Sequence, residues 1–142
     1  MTPRALVITF IVVAFLGFLD AAYLTANYFL GTAPACFIAQ GCDVVTTSVY
    51  SRVLDVPVAL LGSLYYLAMF FAGLYLLESK NARFARFLPY FTATGLLVSI
   101  WLIYAQIALI KALCVYCLLS ALTSTALFIL SFPISKKLEL QV

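Results

Sequence analysis

Polar and apolar residues come in long blocks along this chain. Charge-free runs extend over 56–77, between Asp55 and Glu78, over 87–110, between Arg86 and Lys111, and over 112–135, between Lys111 and Lys136. A fourth run begins at Ala5 and is broken only by Asp20 before it fades near Gly31. A helix needs about 20 apolar residues to cross the hydrocarbon of a bilayer. In lipid the backbone must satisfy its own hydrogen bonds, which selects helices. The pattern predicts an all-α integral membrane four-helix bundle, one domain over 1–142, with helices at about 6–29, 57–77, 88–109 and 112–131.

Composition removes the soluble alternative. Apolar side chains make up 66% of the chain and charged ones 9%, with no His. Soluble domains carry about 25% charged residues. A soluble enzyme, a disordered tail and a nucleic-acid-binding domain are all excluded. The net charge of +3 is too small and too scattered for a basic face.

The cations set a topology. Arg4, Lys80, Arg83, Arg86, Lys136 and Lys137 fall on one side of the predicted spans, Arg52 and Lys111 on the other. The positive-inside rule puts both termini and the 78–87 link in the cytoplasm. The loop 31–56 and the turn near Lys111 then face outward from the inner (plasma) membrane, to the periplasmic or extracellular side. Ala33-Pro34-Ala35 before Cys36 looks faintly like a processing site. The apolar stretch before it is longer than a signal core, so the first segment is expected to remain as a helix.

In the loop, Gly31 and Pro34 end the first helix and Gly41 allows a tight turn. Residues 43–51 show no clean period and are expected to form a short helix at the interface, with Asp43 at its amino end. Pro57 opens the second helix, where a missing N–H costs nothing. Gly62, Gly73 and Gly95 are expected to permit close helix contact. Asp20 is costly inside a span and should face the bundle interior. It serves either as a polar pin, bonded to a Tyr or Ser of another helix, or as a proton carrier.

The four cysteines are the candidate chemistry. Cys36 and Cys42 lie in the outward loop, and Cys114-Val115-Tyr116-Cys117 lies at the outer end of the fourth helix. The topology read from charge therefore puts all four on one side, in a compartment where disulfides form. A Cys-x-x-Cys at a helix start places its first thiol near unbonded amide hydrogens, which favour the thiolate. Thiolates attack disulfides through mixed disulfides, so two pairs on one side can pass electrons in relay. The alternative is a non-enzymatic membrane protein that binds metal or acts as a scaffold through structural cysteines. Four thiolates can hold zinc, but the spacing of the loop pair exceeds the usual gap. A bridge across Cys-x-x-Cys closes too small a loop to be a strong staple. We expect no metal. A relay needs an acceptor. No Gly-rich nucleotide fingerprint follows a strand, and no His can ligate haem, which leaves a lipid-soluble acceptor such as a quinone.

Gly41-Cys42-Asp43-Val44-Val45, then Ser48, Tyr50 and Ser51, then Pro57-Val58-Ala59-Leu60-Leu61-Gly62 and Tyr65-Tyr66, and finally Cys114-Val115-Tyr116-Cys117 resemble the vitamin K epoxide reductase family, its bacterial branch most. The resemblance runs from about Ala5 to Ser131. It implies that a separate thioredoxin-like periplasmic or extracellular oxidase attacks a Cys36–Cys42 disulfide at Cys36. Cys42 then attacks Cys114 of a Cys114–Cys117 disulfide, and Cys117 reduces a quinone, ubiquinone or menaquinone, of the membrane pool. It also implies a quinone pocket capped by Ser48 and Tyr50 and lined by Leu61, Gly62, Tyr65 and Leu102. Animal members place an Asn at the start of the second helix and a Tyr one turn past the cysteine pair. Val58 and Ala121 stand at the matching positions here. The resemblance therefore implies quinone reduction in place of epoxide reduction.

Overall fold

The computed structural model describes residues 2–31, 52–53, 56–111 and 115–140. Helix α1 spans Pro3–Leu30. Thr2 caps it by accepting from the Ala5 N–H at 3.2 Å, and Pro3 follows at the start, where a missing N–H is harmless. Gly31 ends it in the left-handed conformation, φ 69°, which a residue without Cβ adopts at little cost. Strands β1 (Arg52–Val53) and β2 (Val56–Pro57) form a two-residue antiparallel pairing that leads into α2, Val58–Ser79. Pro57 sits at the cap of α2, immediately before its first turn. Lys80 stops α2 at φ 50°, and Asn81 accepts from the Arg83 and Phe84 N–H groups to start α3, Ala82–Tyr104. Helix α3 continues into one wide π-helical segment, Ala105–Ile110, which ends at Lys111. Helix α4 spans Val115–Leu140.

All four helices are long and apolar enough to cross a membrane. At about 1.5 Å per residue the 28-residue α1 is about 42 Å long, more than the ~30 Å of hydrocarbon. Helices α3 and α4 outrun the spans read from the apolar blocks. The start of α3 takes in Arg83 and Arg86 and the end of α4 takes in Lys136, Lys137 and Glu139, because a helix continues readily through the headgroup region. Large apolar side chains such as Phe29, Leu97, Ile107 and Leu122 lie exposed on the outside of the bundle. In water such a surface would drive association; in lipid it is the ordinary exterior.

Helix α1 packs closely on α2 and on α4, and α4 packs closely on α3. Helices α2 and α3 touch little, although only Lys80 and Asn81 separate them. One end of the bundle is filled by Leu6, Val7 and Phe10 of α1, Leu76 of α2, Leu88 of α3, and Ile134 and Leu138 of α4. Gly73 allows that approach, since a Cβ there would lie 2.6 Å from Ile11 Cγ1. Thr92 Oγ1 donates to Ser131 Oγ at 3.2 Å, a buried link between α3 and α4. At the rim of this end, Arg86 Nε donates to Glu139 Oε1 at 2.9 Å. The start of α1, the α2–α3 link and the end of α4 thus share one end of the bundle, together with six of the eight basic residues.

Candidate functional site

The opposite end of the bundle is hollow. A cavity of about 400 Å³ lies among all four helices. Helix α1 contributes Asp20, Ala21, Leu24 and Tyr28; α2 contributes Val58, Leu61, Gly62, Tyr65 and Tyr66. Across from them stand Gly95, Val98, Trp101 and Leu102 of α3, with Ala105 and Gln106 of the π segment. Helix α4 closes the wall with Cys117, Ser120 and Ser124. Offsets of three and seven residues put those last three on one helical face. The lining is chiefly apolar, and its volume falls in the roughly 300–1,000 Å³ range of small-molecule sites.

The cavity exists because α2 and α3 diverge. They are bridged beside it by Tyr65, whose ring lies over Gly95: a Cβ at Gly95 would stand 2.4 Å from Tyr65 Cζ. Tyr65 Oη reaches toward the Thr92 carbonyl at 3.5 Å. Leu61, Val98 and Trp101 line the cavity and are also about half exposed, at 46%, 51% and 52%. The cavity therefore opens sideways between α2 and α3, onto the surface that faces lipid.

Tyr66 is held by its surroundings. Its ring lies where a Cβ at Gly17 would be, 2.4 Å from that position. Its hydroxyl donates to the Ser120 carbonyl at 2.6 Å and meets Thr123 Oγ1 at 2.8 Å and Ser120 Oγ at 3.0 Å. Glycine at 17 and tyrosine at 66 thus fasten α2 between α1 and α4. Beyond that link, toward the hollow end of the bundle, the Tyr23 and Tyr116 rings meet at 5.1 Å, joining α1 to α4 beside Cys117.

Of the residues singled out from sequence, Cys117, Leu61, Gly62, Tyr65 and Leu102 all line this one cavity. Cys36, Cys42, Cys114, Ser48 and Tyr50 lie outside the described residues, as does the 43–51 segment. Val58 lines the cavity, whereas Ala121 is buried and does not; the hydroxyls that α4 offers are those of Ser120 and Ser124. Gly62 is not a close-packing glycine, because a Cβ there would meet only the Ala21 side chain, at an ordinary 3.8 Å. Sequence reasoning passed over Gln106, Ser120, Ser124 and Gly17. The available signal was a lone amide in the charge-free run 87–110 and two serines in register with Cys117.

The sequence model of the Vitamin K epoxide reductase family matches residues 8–132, most of the chain, and the chain belongs to that family. A search of the curated proteins finds no match. Membership makes the protein a membrane redox enzyme of the vitamin K epoxide reductase type.

Proposed function

We propose that this family member is a quinone-dependent thiol oxidoreductase of the plasma membrane, which reoxidises a separate thioredoxin-like, disulfide-forming protein on the outward side. The observation that carries the reading is the placement of Cys117. A redox-competent sulfur contributes to the wall of an apolar cavity that opens between two helices toward lipid. The gathering of six cations at the packed end supports a cytoplasmic position for that end.

The cavity suits a quinone. Its walls are apolar, with Trp101, Tyr65 and Tyr66 among them, and its side opening leaves room for an isoprenoid tail to stay in lipid. A bound quinone supplies a sink for two electrons and two protons. Leu61, Gly62 and Leu102 would hold its ring by shape and exclude water, and Ser48 and Tyr50 would cap it. Ubiquinone and menaquinone fit this description equally.

Electrons reach Cys117 by thiol–disulfide exchange. A thiolate of the partner attacks Cys36 of the Cys36–Cys42 disulfide. Cys42 leaves and attacks Cys114 of the Cys114–Cys117 disulfide, which releases Cys117. The partner's second thiol closes its own disulfide and frees Cys36. Cys36 then re-forms its bond with Cys42 and leaves Cys114 and Cys117 reduced. Closing the Cys114–Cys117 bond again releases two electrons and two protons, so the cycle balances as one dithiol oxidised per quinone reduced.

The test uses purified protein in lipid nanodiscs with a short-tailed quinone. Cys117→Ser should reduce quinol formation to background with any reductant. Cys36→Ala should block a reduced thioredoxin-like donor, while a small dithiol that reaches Cys114–Cys117 directly still supports turnover. A Cys117→Ala protein that works at the wild-type rate overturns the route.

A further inference from the structure

We infer that Asp20 is the proton-transfer residue of the cavity, carrying a proton from the Cys117 thiol to the electron acceptor bound beside it. This rests on the oxidoreductase reading above.

Asp20 is the one carboxyl among the described lining residues, and it is 8% exposed, two-thirds of the way along a membrane-spanning helix. A carboxyl at such depth is expensive to keep and marks a site of function more often than one of packing. Neutral pairs elsewhere, Thr92 with Ser131 and Tyr66 with Ser120 and Thr123, link the helices without a carboxyl.

Its level in the membrane follows from helix register. Helices α1 and α4 run antiparallel, and the Tyr23–Tyr116 ring contact fixes which residues stand opposite. Three residues down α1 from Tyr23 is Asp20; the same descent on α4 from Tyr116 passes Cys117 and ends near Ser120. At 1.5 Å per residue, Asp20 and Cys117 stand within about one turn, roughly 5 Å, of each other along the bundle axis. Both line the same cavity.

The other titratable groups around Asp20 do not serve. Helix α2 presents Tyr65 and Tyr66. The Tyr66 proton is given to the Ser120 carbonyl, and the Tyr65 hydroxyl is engaged by the Ser124 side chain of α4 and lies 3.5 Å from the Thr92 carbonyl of α3. Helix α1 adds Tyr28 about two turns further along, and α4 adds Cys117 itself. Helix α3 and the π segment bring the amide of Gln106 but no titratable side chain, and no Lys or Arg lines the cavity among the described residues. A carboxyl accepts a proton when ionised and donates one when protonated. In the balanced step, Asp20 takes the proton of Cys117 and leaves a thiolate. The Cys114–Cys117 bond then closes, and two electrons pass to the acceptor. One proton comes to it from Asp20 and one from the Cys114 thiol. Asp20 ends as the carboxylate it began.

The experiment separates binding from proton transfer in the full-length protein. Trp101 is the sole tryptophan and lines the cavity, so quenching of its fluorescence reports quinone binding. With Asp20→Asn, the midpoint of quenching by a short-tailed quinone should stay within about twofold. Single-turnover quinol formation should fall about 10²-fold, the scale of general acid–base catalysis. Asp20→Glu should recover at least tenfold of that loss. Independently of turnover, the infrared difference spectrum between reduced and oxidised cysteines should contain a carboxyl band that shifts in D₂O and is absent from Asp20→Asn. A normal rate in Asp20→Asn, or loss of quenching together with rate, overturns the proposal in favour of a structural pin. A wild-type protein that neither binds nor reduces any quinone sinks the oxidoreductase reading and this proposal with it. A wild type that does both, matched by Asp20→Asn, sinks this proposal alone.

Discussion

The two ends of the bundle are made of the same four helices and much the same residue types, yet one is solid and the other hollow. At the positive end, Phe10, Leu127 and Ile134 have no exposed surface, and Gly73 lets α1 and α2 close together. At the cysteine end, α2 leans away from α3 and Tyr65 spans the gap onto Gly95. The apolar content is alike; the difference lies in where small residues meet large ones. A glycine facing an aliphatic side chain brings two helices together. At Gly95 the Tyr65 ring instead fills the glycine's place between helices that stay apart, and space is left beside the ring.

Four substitutions test that contrast, each by effects on stability and on quinone handling. Phe10→Ala, in the solid end, should have the largest effect on stability. Phe→Ala in a water-soluble core costs about 3–5 kcal/mol. In lipid the transfer part largely vanishes and the cavity part stays, so about 2–3 kcal/mol is expected. Unfolding in a denaturing detergent series measures it, and Trp101 quenching in the surviving folded protein should be unchanged. An equal loss of quinone binding would show that the two ends are not separable.

Gly95→Ala should behave in the opposite sense. The new methyl occupies the place of the Tyr65 ring tip, and the ring must swing or α3 must retreat. Overpacking of this kind costs about 1–3 kcal/mol. The telling result is a rise of about tenfold in the quinone KM, because the moved ring and the cavity share the same space. Gly62→Ala is the control at an open position, with an ordinary 3.8 Å contact, and should change either quantity little.

Arg86→Gln should be the mildest. The Arg86–Glu139 ion pair links α3 to α4, but both side chains are well exposed. Exposed pairs of this kind contribute about 0–1 kcal/mol and are screened by salt. A small shift in unfolding midpoint that disappears at high salt is expected, with quinone reduction unaffected.

Parts of this arrangement were legible residue by residue. The spacing of Asp55, Glu78, Arg86, Lys111 and Lys136 marked the spans, and the clustering of Arg4, Lys80, Arg83, Arg86, Lys136 and Lys137 marked one end. Cys117, taken from the cysteine pattern, and Leu61, Gly62, Tyr65 and Leu102, taken from the family resemblance, stand around one cavity. The helix ends were read short, because charge marks where the hydrocarbon stops and not where the backbone stops being helical. The π segment gave no sign in composition. Its effect is to bury Ala105 and Gln106, adjacent in sequence, along the same wall.

The sequence by itself determined the solvent, the number of crossings, the end that gathers positive charge and the sulfur chemistry available. These follow from composition and from where charges interrupt apolar runs, and neither needs a partner helix. Only the tertiary structure decided which faces turn inward, so that Gly17 receives Tyr66, Gly95 receives Tyr65, and Asp20 shares a cavity with Cys117. The reason is physical. In water the inside of a protein differs from the outside, and a helix carries that difference as a stripe. In lipid both sides are apolar, so which face turns inward is set by fit between surfaces, and that fit is a property of the four helices together.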